Sequence, residues 1–170
     1  QRSGGGGGSA QPATVAQPAT VDAVKVAALD TITNRRNKDG DSFFVTDLPA
    51  LVDRFRLWTD HLPFIQPYYA VQCTPDPEMV RVLGKLGAGF DCASKSEQEL
   101  VLGAGINASR IIYANPAKQE SHIVFAMKHH VDLTVVDSVF EVEKLAMLHP
   151  AGAVLVRIIT DDRDASTQLS

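Results

Sequence analysis

Five short apolar runs recur along the chain at an almost constant interval. They begin near residues 67, 88, 110, 132 and 153, so successive runs start 21 or 22 residues apart. Between them lie four segments with helical periodicity, at residues 78–86, 95–102, 119–129 and 138–148. Regular alternation of strand and helix predicts parallel strands joined by right-handed crossovers.

So constant an interval indicates that one βα unit is repeated along the chain. The fold class we predict is α/β: the N-terminal part of a parallel (β/α)8 TIM-type barrel, with about five βα units present. An open, doubly wound sheet is the alternative. A leucine-rich repeat has a similar period, but the leucine spacing of that repeat is absent.

The composition of the chain predicts three parts. Residues 1–21 contain a run of five glycines and a repeated pentapeptide, so we expect a disordered low-complexity tail there. Residues 22–41 are predicted as an N-terminal helix and turn, and residues 42–170 as a partial barrel domain. Three elements are expected ahead of the repeat: a helix at 22–36, a strand at 42–45 and a helix at 48–61.

Two of the predicted helices in the repeat begin with a capping-box pattern. Ser94 and Glu97 have the required spacing, and so do Ser138 and Glu141. In each case a small hydroxyl residue closely follows a predicted strand, as the short βα loops of a barrel require.

Charge and cysteine content limit the partners and the compartment. The formal net charge is −4 and there is no basic stripe, which argues against nucleic acid and against an anionic membrane surface. The two cysteines provide no disulfide framework, so we expect a reducing compartment, the cytoplasm. Residues 1–21 contain one arginine and no acid, which leaves a plastid as a minor alternative. No metal-ligand spacing is present, and we predict no metal site.

Polar residues follow the predicted strands at their carboxyl ends, where barrel enzymes carry their active sites. They are Gln72 and Cys73 at strand one, Asp91 and Cys92 at strand two, Asn115 at strand three, Asp137 at strand four and Arg157 within strand five. Each also has a structural explanation: Asp91 and Asn115 favour turns, and Arg157 could pair with a structural carboxylate. Their shared place on one rim favours a functional site.

Four of these strand ends carry motifs that resemble the eukaryotic ornithine decarboxylases, which are group IV decarboxylases dependent on pyridoxal 5′-phosphate. The motifs are PYYAVQC at 67–73, GFDCAS at 89–94, RIIYANP at 110–116 and RIITDD at 157–162. They follow the family's order and spacing, and the resemblance covers about residues 42–170.

The resemblance implies a fold, a reaction and a cofactor. The fold is an alanine-racemase-like barrel followed by a β-domain, in a homodimer whose active sites lie between the subunits. The reaction decarboxylates L-ornithine to putrescine in polyamine synthesis, with pyridoxal 5′-phosphate as the electron sink. The chain then corresponds to an N-terminal fragment that lacks the β-domain and the C-terminal catalytic residues, so we expect no catalysis by this chain alone.

The resemblance also assigns site residues. Gln72 stands where the family has the catalytic lysine that binds the cofactor as a Schiff base. The positions that match cofactor-binding residues are Ala70, Asp91, Glu97 and Arg157. A lysine amine attacks an aldehyde once its pKa is lowered, whereas the nitrogen of a carboxamide is delocalised into its carbonyl group. We therefore expect no covalent binding of the cofactor at Gln72.

Two other interpretations stay open. The loss of the lysine at Gln72 fits a non-catalytic paralogue, an antizyme-inhibitor-like regulator of polyamine synthesis. Antizyme binding itself has weak support, because residues 120–143, which match the family's basic antizyme-binding region, contain five acids and one lysine. The other interpretation is a truncated product with no independent fold, since an open half-barrel exposes two sheet edges and an apolar interior.

Overall fold

The computed structural model describes residues 21–34, 40–161, 163–164 and 166. The tail predicted at 1–21 lies outside these residues, apart from Val21. The chain divides into two compact units, residues 1–54 and 55–170. The domain boundaries proposed from composition stay predictions.

The described part of the first unit contains one complete helix and the start of a second. Helix α1 spans Val21–Thr33, close to the predicted 22–36. The strand predicted at 42–45 is wrong: residues 40–47 have no regular structure, and Phe44 is 98% exposed. Helix α2 spans Leu48–His61, as predicted, and the Asp47 carboxylate caps it by accepting a hydrogen bond from Ala50 N at 3.0 Å.

The second unit is built on a five-stranded parallel sheet. Its strands are β1 Tyr68–Ala70, β2 Gly89–Cys92, β3 Ile111–Tyr113, β4 Leu133–Val136 and β5 Ala153–Val156. They pair in chain order, β1-β2-β3-β4-β5. A doubly wound sheet reverses its strand order at a switch point, whereas every crossover here advances in the same direction. The sheet is therefore part of a barrel wall, and the predicted fold class is confirmed.

Four helices connect the strands, each within one residue of its predicted bounds. They are α3 Pro77–Leu86, α4 Lys95–Gly103, α5 Glu120–Lys128 and α6 Val139–Leu148, with 3₁₀ turns at Val71–Cys73 and Ala108–Arg110. Side-chain oxygens at the N-caps of three of them accept a backbone N–H, namely those of Asp76, Ser94 and Ser138. Gly87 ends α3 with φ 99°, a left-handed conformation that glycine adopts without strain.

The core of the second unit lies between the sheet and these helices. Phe90, Cys92 and Tyr113 alternate along β2 and β3 with less buried residues, so one face of the sheet is covered. Ile123 of α5 and Leu145 of α6 form a buried cluster together with Val136 of β4. Each such side chain contributes about 1.5–3 kcal/mol when it is fully buried. The opposite face carries Asp91 and therefore corresponds to the barrel interior.

Gln98 is an exception within this core. Its side chain is fully buried on α4, yet neither its Oε1 nor its Nε2 has a hydrogen-bond partner among the described residues. A buried polar group without a partner costs about 1–3 kcal/mol.

We expect Gln98→Met to leave the fold intact and to raise its free energy of unfolding by up to about 1 kcal/mol. Urea unfolding measures this, with the exposed Gln119→Met as control. A loss above about 1 kcal/mol would contradict the idea that the unpaired amide destabilises the fold.

The sheet is open within the described residues, with β1 and β5 at its edges. All four residues of β5 are exposed, and the exposed fraction of Val156 reaches 67%. No helix in the described ranges is both long and apolar enough to cross a membrane.

Candidate functional site at the carboxyl ends of the strands

Gln72 lies immediately beyond the carboxyl end of β1. The strand stops at Ala70 rather than at Gln72 and Cys73 as predicted, because the chain turns there into the 3₁₀ segment Val71–Cys73. Val71 is fully buried and anchors the turn, while Gln72 is exposed. The turn thus presents the Gln72 carboxamide at the rim of the sheet.

Asp91 lies beside β1, because Ala70 and Asp91 are paired in register. Its side chain is half-buried, and burial raises the pKa of the Asp91 carboxyl, with the nearby Glu97 adding a smaller effect in the same direction. Ala70, Gln72 and Asp91 therefore meet at the ends of β1 and β2. A carboxyl group that is partly buried close to a second carboxylate destabilises the fold. Such unfavourable electrostatics are typical of functional sites.

Glu97 fulfils the predicted capping box with one change. Glu97 N donates to Ser94 Oγ at 3.3 Å, as that motif requires. The Glu97 carboxylate accepts a hydrogen bond at 2.7 Å from Ala93 N, one residue before the N-cap. The acidic group is therefore fixed close to the end of β2, which is compatible with both the structural and the functional interpretation.

The electrostatics of Asp91 lead to a stability prediction. The pKa of the Asp91 carboxyl is higher in the folded state than in the unfolded state. The folded state therefore loses stability as the pH rises from the unfolded-state pKa to the folded-state pKa. We expect Asp91→Asn to stabilise the fold at neutral pH by up to about 1 kcal/mol. The gain should shrink as the pH falls below the pKa of the unfolded state. Thermal unfolding across pH tests this, with the exposed Glu143→Gln as control; equal gains at all pH values would contradict the electrostatic cause.

Arg157 and Asp137 form an ion pair at the far end of the rim. Arg157 Nη2 lies 2.6 Å from Asp137 Oδ2, and the side chain of Arg157 is 62% exposed. Strand β5 ends at Val156, so Arg157 follows the strand instead of lying within it, and its N–H donates to Val136 O at 2.8 Å. This ion pair agrees with the structural explanation for Arg157, while the exposed guanidinium has further N–H donors that an anion could engage.

The rim residues are not all in contact with one another. Arg157 lies three strand positions from Asp91, about 14 Å along a flat sheet at the usual strand spacing. Asn115 follows β3, and its side chain accepts from Ala117 N at 3.0 Å, which is the ordinary turn interaction. Curvature of a barrel wall turns such separated residues toward one central space.

Sequence reasoning missed a buried charge cluster behind this rim, formed by Lys118, Glu141 and Lys144. Lys118 Nζ lies 3.1 Å from Glu141 Oε1, and Lys144 Nζ lies 2.8 Å from Glu141 Oε2. Only 4% of the Glu141 side chain is exposed and none of the Lys118 side chain. Glu141 N donates to Ser138 Oγ at 3.3 Å, as the predicted capping box requires, while the Glu141 carboxylate accepts a hydrogen bond from Lys118 N at 3.0 Å. Nothing in the local spacing signals a contact across 23 residues.

The cluster joins three elements of the barrel wall. Lys118 Nζ donates to Asn115 O at 3.0 Å in the β3–α5 loop and to Val135 O at 2.8 Å in β4. Burial lowers the pKa of Lys118, and the bonds from both lysines lower the pKa of Glu141 against the effect of its own burial. These contacts hold the loop that carries Asn115 against the end of β4.

A sequential parallel sheet covered by helices on one face, with polar side chains at its carboxyl ends, defines a βα-barrel whose functional site lies on that rim. The family profile described as "Pyridoxal-dependent decarboxylase, pyridoxal binding domain" matches residues 48–170. The chain belongs to this family of decarboxylases.

Known proteins resemble both the sequence and the fold. Ornithine decarboxylase of Candida albicans is 50% identical over 134 residues, 78% of this chain and 28% of its own length. Antizyme inhibitor 2 of Xenopus laevis is 44% identical over 135 residues, 79% of this chain and 30% of its own length. The crystal structure of an arginine decarboxylase from Paramecium bursaria Chlorella virus superposes with a TM-score of 0.76 at 33% identity, over 84% of this chain and 38% of that one. The chain thus spans about a third of the length of the curated relatives it matches.

The side chains present fit a phosphorylated pyridine only in part. Arg157 provides exposed cationic donors, and the half-buried Asp91 provides a carboxyl group for a cationic or donor atom. A covalent bond to an aldehyde needs an amine, and the turn after β1 provides the carboxamide of Gln72. The site therefore suits non-covalent contacts and does not suit covalent anchoring.

Proposed function

We propose that the protein has the scaffold of an ornithine decarboxylase, the pyridoxal-phosphate-dependent enzyme that converts L-ornithine to putrescine. The observation that supports this most strongly is the combination of four family motifs with their position at the carboxyl ends of β1, β2, β3 and β5. The match of residues 48–170 to the pyridoxal binding domain and the 50% identity to the Candida enzyme support it further.

The proposed roles of the rim residues follow from their chemistry. Arg157 binds an anionic group of the ligand, and Asp91 attracts a cationic or hydrogen-bond-donating one, with Glu97 holding the end of β2 beside it. Ala70 is half-buried and small, so it leaves space for a flat ring beside Asp91. When bound, the cofactor supplies the electron sink for loss of the carboxylate.

Gln72 changes what this scaffold does. We propose that it occupies the position of the lysine that holds the cofactor in the family, and that the protein with Gln72 does not decarboxylate ornithine. The test is release of carbon dioxide from carboxyl-labelled ornithine, with added pyridoxal 5′-phosphate, by the protein expressed at the full length of its gene. We expect no release by the Gln72 protein and measurable release by Gln72→Lys. If neither protein releases carbon dioxide, the proposed function is contradicted. If the Gln72 protein releases it, the proposed role of Gln72 is contradicted.

We further propose the assembly and the location that go with this function. The protein forms a homodimer with L-ornithine sites between subunits, and its barrel domain, residues 42–170, precedes a β-domain. It lies in the cytoplasm, with a plastid as the alternative for a chain whose first 21 residues contain no acid. Light scattering of the protein at the full length of its gene measures the dimer, and a fluorescent fusion distinguishes the two compartments.

A second candidate is a non-catalytic regulator, favoured by Gln72 and by the 44% identity to an antizyme inhibitor. The charge of the corresponding surface does not favour antizyme binding. Among the five acids of residues 120–143, Glu141 is buried within the charge cluster, while Glu120, Asp132, Asp137 and Glu143 are exposed. A pull-down with antizyme separates the two candidates: tight binding together with no decarboxylation by Gln72→Lys would favour the regulator.

A further inference from the structure

The absence of an amine at Gln72 affects which ligands the site can distinguish. Gln72 is exposed on the turn after β1, next to the paired Ala70 and Asp91. Pyridoxal 5′-phosphate, pyridoxamine 5′-phosphate and pyridoxine 5′-phosphate share the ring and the phosphate and differ only in the 4′ group, which is an aldehyde, an amine and an alcohol. Only the aldehyde condenses with a lysine amine, with loss of water. A carboxamide forms no such bond.

Other lysines near the rim do not replace the missing amine. The Lys118 side chain is completely buried, and its Nζ bonds Asn115 O and Val135 O in addition to Glu141. These contacts hold the Lys118 amine on the helix-covered side of the sheet, since Nζ lies 5.7 Å from the ring centroid of the buried Tyr113.

Lys95 and Lys144 are also engaged elsewhere. Lys95 begins α4 after the end of β2, but its Nζ pairs with Glu99 at 3.5 Å and lies 5.0 Å from the ring centroid of Phe125 on α5. Lys144 Nζ bonds Glu141 Oε2. Among the residues that the structure describes at the rim, these three lysines are therefore committed to the helical layer.

From these contacts we infer that the site binds B6 vitamer phosphates reversibly and without preference for the aldehyde form. The inference depends on the proposed function, because it concerns the same cofactor site. The charged groups that remain at the rim are the exposed Arg157 and the half-buried carboxyl of Asp91. They would contact the phosphate and the ring, which all three vitamers share. The selectivity that a covalent bond adds for the aldehyde is absent.

The test is a calorimetric titration of the protein at the full length of its gene with each of the three vitamers. We expect the three dissociation constants of the Gln72 protein to agree within about threefold, which is below 1 kcal/mol. In Gln72→Lys we expect pyridoxal 5′-phosphate to bind at least about a hundredfold more tightly than pyridoxine 5′-phosphate. Gln72→Arg adds a cation without a nucleophile, so it should shift all three constants together.

The outcomes separate the inference from the proposed function. A preference above tenfold for the aldehyde in the Gln72 protein overturns the inference and leaves the cofactor site in place. Binding by Gln72→Lys but none by the Gln72 protein also overturns it, because the non-covalent contacts are then insufficient. If neither protein binds any vitamer, the proposed function itself fails. Circular dichroism of each variant confirms that the fold is retained.

Discussion

Borohydride treatment of the Gln72→Lys variant with pyridoxal 5′-phosphate is expected to attach one cofactor at residue 72, whereas the peptide that contains Gln72 stays unlabelled in the unsubstituted protein. The reason is that reduction traps only a carbon–nitrogen double bond, and the carboxamide nitrogen of Gln72 does not form one. The exposed position of residue 72 on a 3₁₀ turn gives a lysine there room to reach the rim. Intact-protein mass and mapping of the labelled peptide measure the labelling of residue 72. We expect this labelling to rise from none in the Gln72 protein to nearly complete in Gln72→Lys.

A matched control exists at the opposite end of the same strand. Gln66 is exposed before β1, where its Nε2 donates to Gly87 O at 2.8 Å. Gln66→Lys makes the same chemical change at the amino end of the sheet and should add no site-specific label. Labelling of the peptide that contains Gln72 in the unsubstituted protein, or equal labelling of both lysine variants, would contradict the proposed role of residue 72.

The second large effect is expected at the buried charge cluster. Replacing Glu141 by glutamine removes the carboxylate that both Lys118 and Lys144 contact, and the Lys118 ammonium stays buried without its ion-pair partner. Removing one partner of a buried pair costs about 3–5 kcal/mol, because the remaining charge is not solvated. We therefore expect Glu141→Gln to lower the free energy of unfolding by that amount in a urea titration.

The cluster also predicts the direction of the pH dependence. The pKa of Glu141 is lowered in the fold, so the stability it contributes is present above the pKa of the unfolded glutamate. That contribution is lost as the pH falls through the folded-state pKa. The difference between Glu141→Gln and the unsubstituted protein should therefore shrink in acid.

An exposed ion pair on α4 is the matched control for this prediction. Glu99 pairs with Lys95 at 3.5 Å, and the two side chains are 51% and 42% exposed. Solvent screens such a pair, so Glu99→Gln should change stability by less than about 1 kcal/mol. Equal losses from Glu99→Gln and Glu141→Gln would show that the buried cluster does not stabilise the barrel wall.

Much of the candidate site was predictable because a barrel places its strand ends on one rim. The period of the apolar runs predicted where each strand ends, and the polar residues Gln72, Asp91 and Arg157 were found there. The exact stop of β1 at Ala70 and of β5 at Val156 was not predictable from alternation alone. Those stops depend on local turns and on the neighbouring strand, which sequence periodicity does not describe.

The sequence by itself determined the fold class and the chemistry of residue 72, because periodicity and the identity of a functional group are local properties of the chain. Only the tertiary structure decided two features: the role of the Glu141 carboxylate, which bonds Lys118, and the absence of the strand expected at 42–45. Both outcomes have the same physical reason. A strand or a buried charge is stabilised by partners distant in sequence, and the availability of those partners is a property of the folded molecule.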